Sequence, residues 1–314
     1  MNELTIYQEP YVLEPPQESG DRVLIEMPGA AEQDATFLAM WLHGKAEKTQ
    51  LAYTRDMGKL YSFTGAGLRS LTLEDFQHFI DSQATLKPAT RARAIACVKS
   101  ALSFGVKTGY LTFNIGAVVK LPKLENTLAE RIMSEQQIAK MFALENSPRN
   151  HAILILLYRA GLRAEELCNL TWAKLQARAE SGQVAVFGKG KKTRFVLLDR
   201  ATWDEVMHLH TSFDTPDSYV FQSRQARSRT DHKGDNKRMD ESMIHRIVRT
   251  AATRAGIVAN VSPHWMRHAH ATHSLERGAP ITLVQDTLGH SSIETTAKYT
   301  HVRPNASSGQ YLKV

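Results

Sequence analysis

The chain has 314 residues, 42% hydrophobic and 23% charged, which suits two domains, or one large one, with a buried core. No apolar run reaches membrane-spanning length, and the N-terminus lacks a basic stretch followed by an apolar one, so no membrane span and no secretory signal are expected. Cys97 and Cys168 stand alone in helix-like stretches, which leaves no disulfide framework and no CxxC pair and fits a reducing cytoplasm.

The net charge is +7, but it is unevenly spread. Residues 1–34 carry eight acidic residues and the single base Arg22, a net of −7, so the remaining 280 residues carry +14. A body this basic suits a polyanionic partner, because Lys and Arg release counterions from phosphates. A solvated basic surface would give the same charge.

Residues 1–33 hold Pro10, Pro15, Pro16, Pro28, Gly20 and Gly29 among many acids and read as a poorly ordered tail. Residues 34–116 read as helical. Ala35–His43 predicts a short apolar helix. Thr49 caps a helix running to Phe63, with Leu51, Tyr53, Met57, Leu60 and Tyr61 near helical spacing. Thr72 caps Leu73–Ser82. Lys87–Thr108 predicts a long helix, with Pro88 at its start, Gly109 past its end, and an apolar stripe of Ile95, Val98, Leu102 and Val106. Lys48, Arg55, Lys87 and Arg91 are candidate DNA contacts here, chosen on charge alone.

Residues 117–132, with Pro122 and alternating charges, read as an interdomain linker, and a second domain spans 133–314. Ser134-Glu-Gln-Gln predicts a capping box. Ser147-Pro148 opens a helix through the apolar run Ala152–Ala160, and Gly161 ends it in a left-handed conformation. Gln183–Phe187 and Thr193–Leu198 are β-rich and flank Gly188-Lys-Gly-Lys-Lys192, a hairpin with a basic tip. Its Lys191, Lys192 and Arg194 are further candidate DNA contacts. Helices follow near 201–210, 241–255, 263–277, 281–288 and 292–299. Ser223–Arg238 is a polar, basic loop.

Four stretches carry candidate chemistry. In Ala160-Gly-Leu-Arg-Ala-Glu-Glu, Arg163 sits at a turn entering a helix, where a guanidinium can fork onto phosphate oxygens. It could equally be a surface Arg paired with Glu166. Lys189 lies on the hairpin tip. In Ser262-Pro-His-Trp-Met-Arg-His, Ser262 and Pro263 start a helix, and His264 and Arg267 share its face near an N-terminus that favours anions. His264 and His268, four apart, resemble half a zinc site, but no third ligand is spaced to complete it. In Leu288-Gly-His-Ser-Ser-Ile-Glu-Thr-Thr-Ala-Lys-Tyr, Gly289 stops a helix, Ser291 and Glu294 form the next capping box, and Tyr299 ends the short helix that follows. A half-buried core tyrosine is the plainer reading of Tyr299.

Together these stretches resemble the tyrosine recombinase (phage integrase) family, including its Xer-type members. The motifs are Gly-Leu-Arg with Glu three residues on, Gly-Lys-Gly in a hairpin, His-x-x-Arg, Leu-Gly-His, and Tyr nine residues after that His, in family order. The match is best over 134–302. Met266 stands where Leu is usual, Asn114-Ile115 stands for the frequent Asn-Pro, and only fifteen residues follow Tyr299.

The resemblance implies a mainly α fold: a helical, SAM-like core-binding domain that clamps DNA, then an α-rich catalytic domain with a small β-hairpin, the DNA breaking-rejoining fold. It implies Arg163, Lys189, His264, Arg267, His290 and Tyr299 as catalytic residues, with Glu166 as accessory carboxylate. It further implies site-specific recombination of double-stranded DNA in the cytoplasm without metal, cofactor or ATP, by a homotetramer on two sites through a 3′-phosphotyrosyl intermediate. His264 would take the phenol's proton, Lys189 would protonate the leaving 5′ oxygen, and His290 would orient the phosphate. A type IB topoisomerase and a silent DNA-binding regulator of the same fold are the alternatives. A helix-turn-helix repressor would explain the charge but not the spaced residues.

Overall fold

The computed structural model describes residues 34–123, 131–187, 193–223, 237–290 and 292–299. The acidic tail 1–33, the hairpin tip with Lys189, Lys191 and Lys192, and most of the 223–238 loop lie outside these. The chain divides into two compact units, Met1–Glu125 and Asn126–Val314. The division falls inside the expected linker.

The first unit holds α1 (Ala35–Leu42), α2 (Glu47–Thr64), α3 (Leu73–Ser82) and α4 (Pro88–Lys107), followed by a 3-10 turn at Ile115–Val118. Thr72 caps α3 as expected: its hydroxyl accepts from the Asp75 amide, and the Asp75 carboxylate accepts from the Thr72 amide. Pro88 occupies the first turn of α4, where its missing N–H costs nothing. Helix α2 starts at Glu47 rather than after Thr49, because the Thr49 and Gln50 amides already bond the Ala46 carbonyl.

These helices converge on a core of Phe37, Trp41, Leu60, Tyr61, Phe76, Phe79, Ile95, Val98 and Leu102. Leu51 and Val106, expected on the buried stripes, are exposed. The polar anchor is Asp34, the first residue of the expected helical domain. It is 1% exposed. Its carboxylate accepts from the Tyr61 hydroxyl at 2.9 Å, the Leu68 amide at 2.7 Å and the Tyr110 hydroxyl at 2.5 Å. A buried carboxylate is tolerable when donors surround it in this way.

The second unit contains α5 (Glu135–Ala143), α6 (Pro148–Arg159), α7 (Ala164–Cys168), the strands β1 (Leu175–Arg178), β2 (Ser181–Phe187) and β3 (Thr193–Leu198), then α8 (Arg200–Met207), α9 (Glu241–Arg254), α10 (Pro263–Glu276), α11 (Ile281–Leu288) and α12 (Ile293–Ala297). Ser134 and Gln137 form the expected capping box. Helix α6 is buried along its apolar run and packs with α10 in the middle of the core. Ile132 and Met133 are buried, and Met133 belongs to this core.

The sheet is antiparallel in the order β1-β2-β3. Strand β1 escaped the sequence reading because three of its four residues are exposed and it has no apolar alternation to reveal it. The β2–β3 register pairs Gly182 with Leu198, Val184 with Val196 and Val186 with Arg194. Side chains alternate along a strand, so Arg194 shares the inner face with Val196 and Leu198. Phe195 and Leu197 take the outer face and are exposed. Cys97 and Cys168 are both free and buried. Among the described residues no helix is long and apolar enough to cross a membrane.

Candidate active site

The site is built where the turn after α6, the C-terminus of α11 and the middle of α10 meet. Gly161 has φ +59° and Gly289 has φ +63°, left-handed values that let both chains turn sharply after their helices. A Cβ on Gly161 would lie 2.7 Å from Leu288 Cδ2, so the two turns touch. The carbonyls of helix ends are left without intrahelical partners and gather partial negative charge.

Arg267 answers that charge. It is 3% exposed, and its guanidinium donates to the carbonyl oxygens of Gly161 and Leu288. Burial, and then the neighbouring Arg163, push its pKa down to about 9, which leaves it charged at neutral pH. Arg163 approaches the same corner from the start of α7 and reaches the Gly289 carbonyl at 3.4 Å. Two cations therefore meet where helix-end carbonyls partly offset their repulsion.

Glu166 anchors Arg163 from behind. Its Oε1 accepts from Arg163 Nη1 at 2.8 Å and its Oε2 accepts from the Arg163 amide at 2.7 Å. The same carboxylate pairs with Arg194, which also donates to the Thr287 carbonyl at 2.8 Å. Burial pushes the Glu166 carboxyl up, but the hydrogen bonds from Arg194 and Arg163 outweigh it and hold the pKa below the usual carboxylate value. Arg194, expected among the DNA contacts, is thus turned inward. Its side chain is only 12% exposed, because strand parity places it on the core face.

Tyr299 lies two residues past the end of α12 and is 7% exposed. Its ring packs with Ala271, Val284 and Leu288. Ser292, rather than Ser291, caps α12, accepting from the Glu294 amide. Ser291 itself is outside the described residues. His290 Nδ1 bonds the Thr296 hydroxyl at 2.9 Å, and its ring lies parallel to that of Tyr299 with centroids 6.4 Å apart. Burial, then Arg267 and Arg163, bring the His290 pKa down to about 4, so it is neutral at neutral pH. Burial raises the Tyr299 pKa, while Arg267 and Arg163 work against that rise.

The structure therefore draws Arg163, Glu166, Arg267, His290 and Tyr299 to one corner. His264 stands at an exposed position in the first turn of α10, and Ser262 makes no side-chain cap bond there. Protein bulk around its ring, then Arg267 and Arg163, lower its pKa. The sequence reading gave it the phenol's proton. The phenol instead bonds His268 Nδ1 at 2.7 Å, and among the described residues no hydrogen bond joins it to His264. His264 stacks on His268, with centroids 5.4 Å apart and planes 9° apart. In the sequence His268 stands out only as half of an incomplete zinc pair with His264. Among the described residues no group of three metal-capable side chains exists. Lys48, Arg55 and Lys87 are exposed in the first unit, and Arg91 is half-buried with its Nε enclosed.

Residues 129–306 match the model of the phage integrase family. The chain belongs to that family. Tyrosine recombinase XerD of Vibrio vulnificus is 33% identical over 282 residues, covering 84% of this chain and 88% of its own. Tyrosine recombinase XerD of Shewanella oneidensis is 31% identical over 275 residues, covering 82% and 87%. Within the family the chain is a tyrosine recombinase of the Xer-like type, an enzyme of site-specific recombination. Two solved structures share the fold. One is XerH recombinase bound to difH substrate, with TM-score 0.62, 18% identity, and 87% of this chain and 82% of that one covered. The other is a lambda integrase dimer bound to a COC′ core site, with TM-score 0.66, 15% identity, and 87% and 77% covered.

Proposed function

We propose that this recombinase acts on double-stranded DNA, with Tyr299 as the nucleophile, and that each cut strand is held as a 3′-phosphotyrosyl ester before rejoining. The observation that carries this reading is the corner itself. The carbonyl of Leu288 accepts from Arg267 while its side chain packs on the Tyr299 ring, so phenol and guanidinium share one residue as neighbour.

A phosphodiester repels nucleophiles, and its five-coordinate transition state gathers negative charge on the non-bridging oxygens. Arg163 and Arg267 hold those oxygens and neutralise that charge, the role a divalent ion plays in other enzymes. His290, neutral, hydrogen-bonds the phosphate and orients it. An imidazole of α10 takes the phenol's proton, and Lys189 of the hairpin tip protonates the departing 5′ oxygen. The ester conserves the energy of the broken bond, so religation needs no ATP.

In this reading residues 34–116 form a DNA clamp that uses Lys48, Arg55, Lys87 and Arg91, and residues 133–314 form the catalytic domain, with Lys191 and Lys192 near the DNA backbone. Four protomers act on two sites in the cytoplasm. The test is covalent capture: wild-type protein mixed with genomic DNA in EDTA becomes attached to one duplex sequence, and Tyr299→Phe binds that duplex without attaching. A Tyr299→Phe adduct removes Tyr299 from the mechanism. Capture that appears only after metal is restored removes the metal-free chemistry. Capture without sequence preference favours a relaxing topoisomerase, and tight binding without any capture favours a silent regulator.

A further inference from the structure

We propose that His268 is a further catalytic residue, the base that receives the phenol proton of Tyr299 during strand cleavage. The inference rests on the reading of Tyr299 as nucleophile and goes beyond it by choosing between the two stacked imidazoles of α10.

The geometry favours His268. Its Nδ1 lies 2.7 Å from the phenol oxygen, within the range required of a general base, and the rings are 5.5 Å apart with their planes 43° apart. His264 stacks almost parallel on His268, and among the described residues no hydrogen bond joins it to the phenol. When Nε2 carries the ring proton of neutral His268, Nδ1 is the acceptor and the phenol the donor, the arrangement a base requires.

The charges around this pair suit a base that stays empty until DNA arrives. His264 on the same helix, Arg131 ahead of α5, Arg267, and His290 between α11 and α12 all face His268. Burial first, then these groups, bring its pKa down to about 4 in the free protein. A bound phosphodiester adds a negative charge beside the same cations and raises the proton affinity of the imidazole at the moment it is needed.

The step balances. The phenol O–H bond breaks and its proton passes to His268 Nδ1, giving an imidazolium. The phenol oxygen forms a bond to phosphorus, the bond from phosphorus to the 5′ oxygen breaks, and that oxygen takes a proton from the acid assigned to Lys189. Religation returns the proton from His268 to the phenolate.

The experiment uses the full chain and the duplex recovered covalently attached to wild-type protein, nicked beside the attachment point so that the adduct accumulates. Single-turnover adduct formation is measured for wild type, His268→Ala, His268→Asn, His264→Ala and Tyr299→Phe, with duplex binding measured in parallel. Asn places an acceptor oxygen near the Nδ1 position but cannot take a proton. We expect His268→Ala and His268→Asn to bind the duplex as wild type does and to react at least about 100-fold more slowly. Added imidazole should restore His268→Ala, whose site is empty, and leave His268→Asn and His264→Ala unchanged. A wild-type rate in His268→Asn would reduce the residue to a passive acceptor and overturn the proposal. Rescue by imidazole confined to His264→Ala would overturn it too, by moving the base one turn along the helix. An adduct on Tyr299→Phe would remove the nucleophile itself, a failure of the underlying reading and distinct from both.

Discussion

Arg194 and Glu166 face each other as a two-pronged pair, Nη1 to Oε1 at 2.9 Å and Nη2 to Oε2 at 2.8 Å, with both side chains largely buried. Glu166 also holds the guanidinium of Arg163, and Arg194 also holds the last turn of α11 through the Thr287 carbonyl. The carboxylate therefore ties β3, the start of α7 and the approach to His290 into one rigid frame. Planar two-point pairing is what makes Arg, and not Lys, suited to this place.

Removing Glu166 leaves Arg194 buried without its counterion, and removing Arg194 leaves the buried carboxylate with Arg163 as its remaining ion-pair partner among the described residues. Glu166→Ala and Arg194→Ala are each expected to cost about 3 kcal/mol or more of stability. The double variant should lose clearly less than the sum of the two, because the pair is lost only once. Urea denaturation of the four proteins measures this. Strictly additive losses would show that the two residues do not act as a unit.

Arg267→Lys keeps the positive charge but cannot span the carbonyls of Gly161 and Leu288 while also facing the phosphate. The expected result is a fall of about 100-fold or more in adduct formation with little change in duplex binding, on the scale of a lost transition-state donor. Single-turnover capture on the nicked duplex provides the measurement. A rate within a few-fold of wild type contradicts the role given to this guanidinium.

In the first unit, Asp34→Ala strips the acceptor from the Tyr61 and Tyr110 hydroxyls and the Leu68 amide. Hydrogen bonds to a charged group carry about 1.5–3 kcal/mol each, and their losses overlap, so a total of about 3 kcal/mol is expected. Asp34→Asn, which retains one acceptor oxygen, should cost less. Equilibrium unfolding of the full chain distinguishes these outcomes. A neutral Asp34→Ala would show that these hydrogen bonds do not anchor the unit.

The folded state should also be sensitive to mild acid. His268 and His290 are each held down to about 4, by burial first, whereas a free imidazole titrates near 6.5. Below about pH 6.5 the unfolded chain takes up protons that the folded chain refuses. Their contribution is therefore intact above about pH 6.5, falls as the pH drops toward about 4, and levels off below that. The urea midpoint of wild type should decline through this window more steeply than that of a His290→Asn variant. Parallel pH profiles for the two proteins would rule out His290 as a source of the decline.

Several elements were legible before any coordinates. Thr72 as a cap and Ser134 with Gln137 as a capping box marked helix starts, because capping is a local hydrogen-bond pattern and needs no tertiary partner. Gly161 and Gly289 marked helix ends for the same reason, since positive φ is written in the missing Cβ. Strand β1 was not legible: its exposed residues carry no pattern, and only pairing with β2 makes it a strand. Arg194 was misread because a basic residue beside a basic hairpin tip looks solvent-facing until the register with Val186 decides its face. The anchoring role of Asp34 was not legible, because composition counts charges without seeing the tyrosines that enclose one of them.

Local chemistry sets what each segment of this chain can become: helix, turn, strand, and a family pattern in which arginines, histidines and a tyrosine recur at fixed spacing. Proximity across the chain is decided elsewhere. Which imidazole meets the phenol depends on a residue 31 positions away being carried back by α11 and α12 onto one turn of α10. His264 and His268 are equivalent as letters on a helix. Packing, and not sequence, decides that His268 is the one bonded to the phenol oxygen.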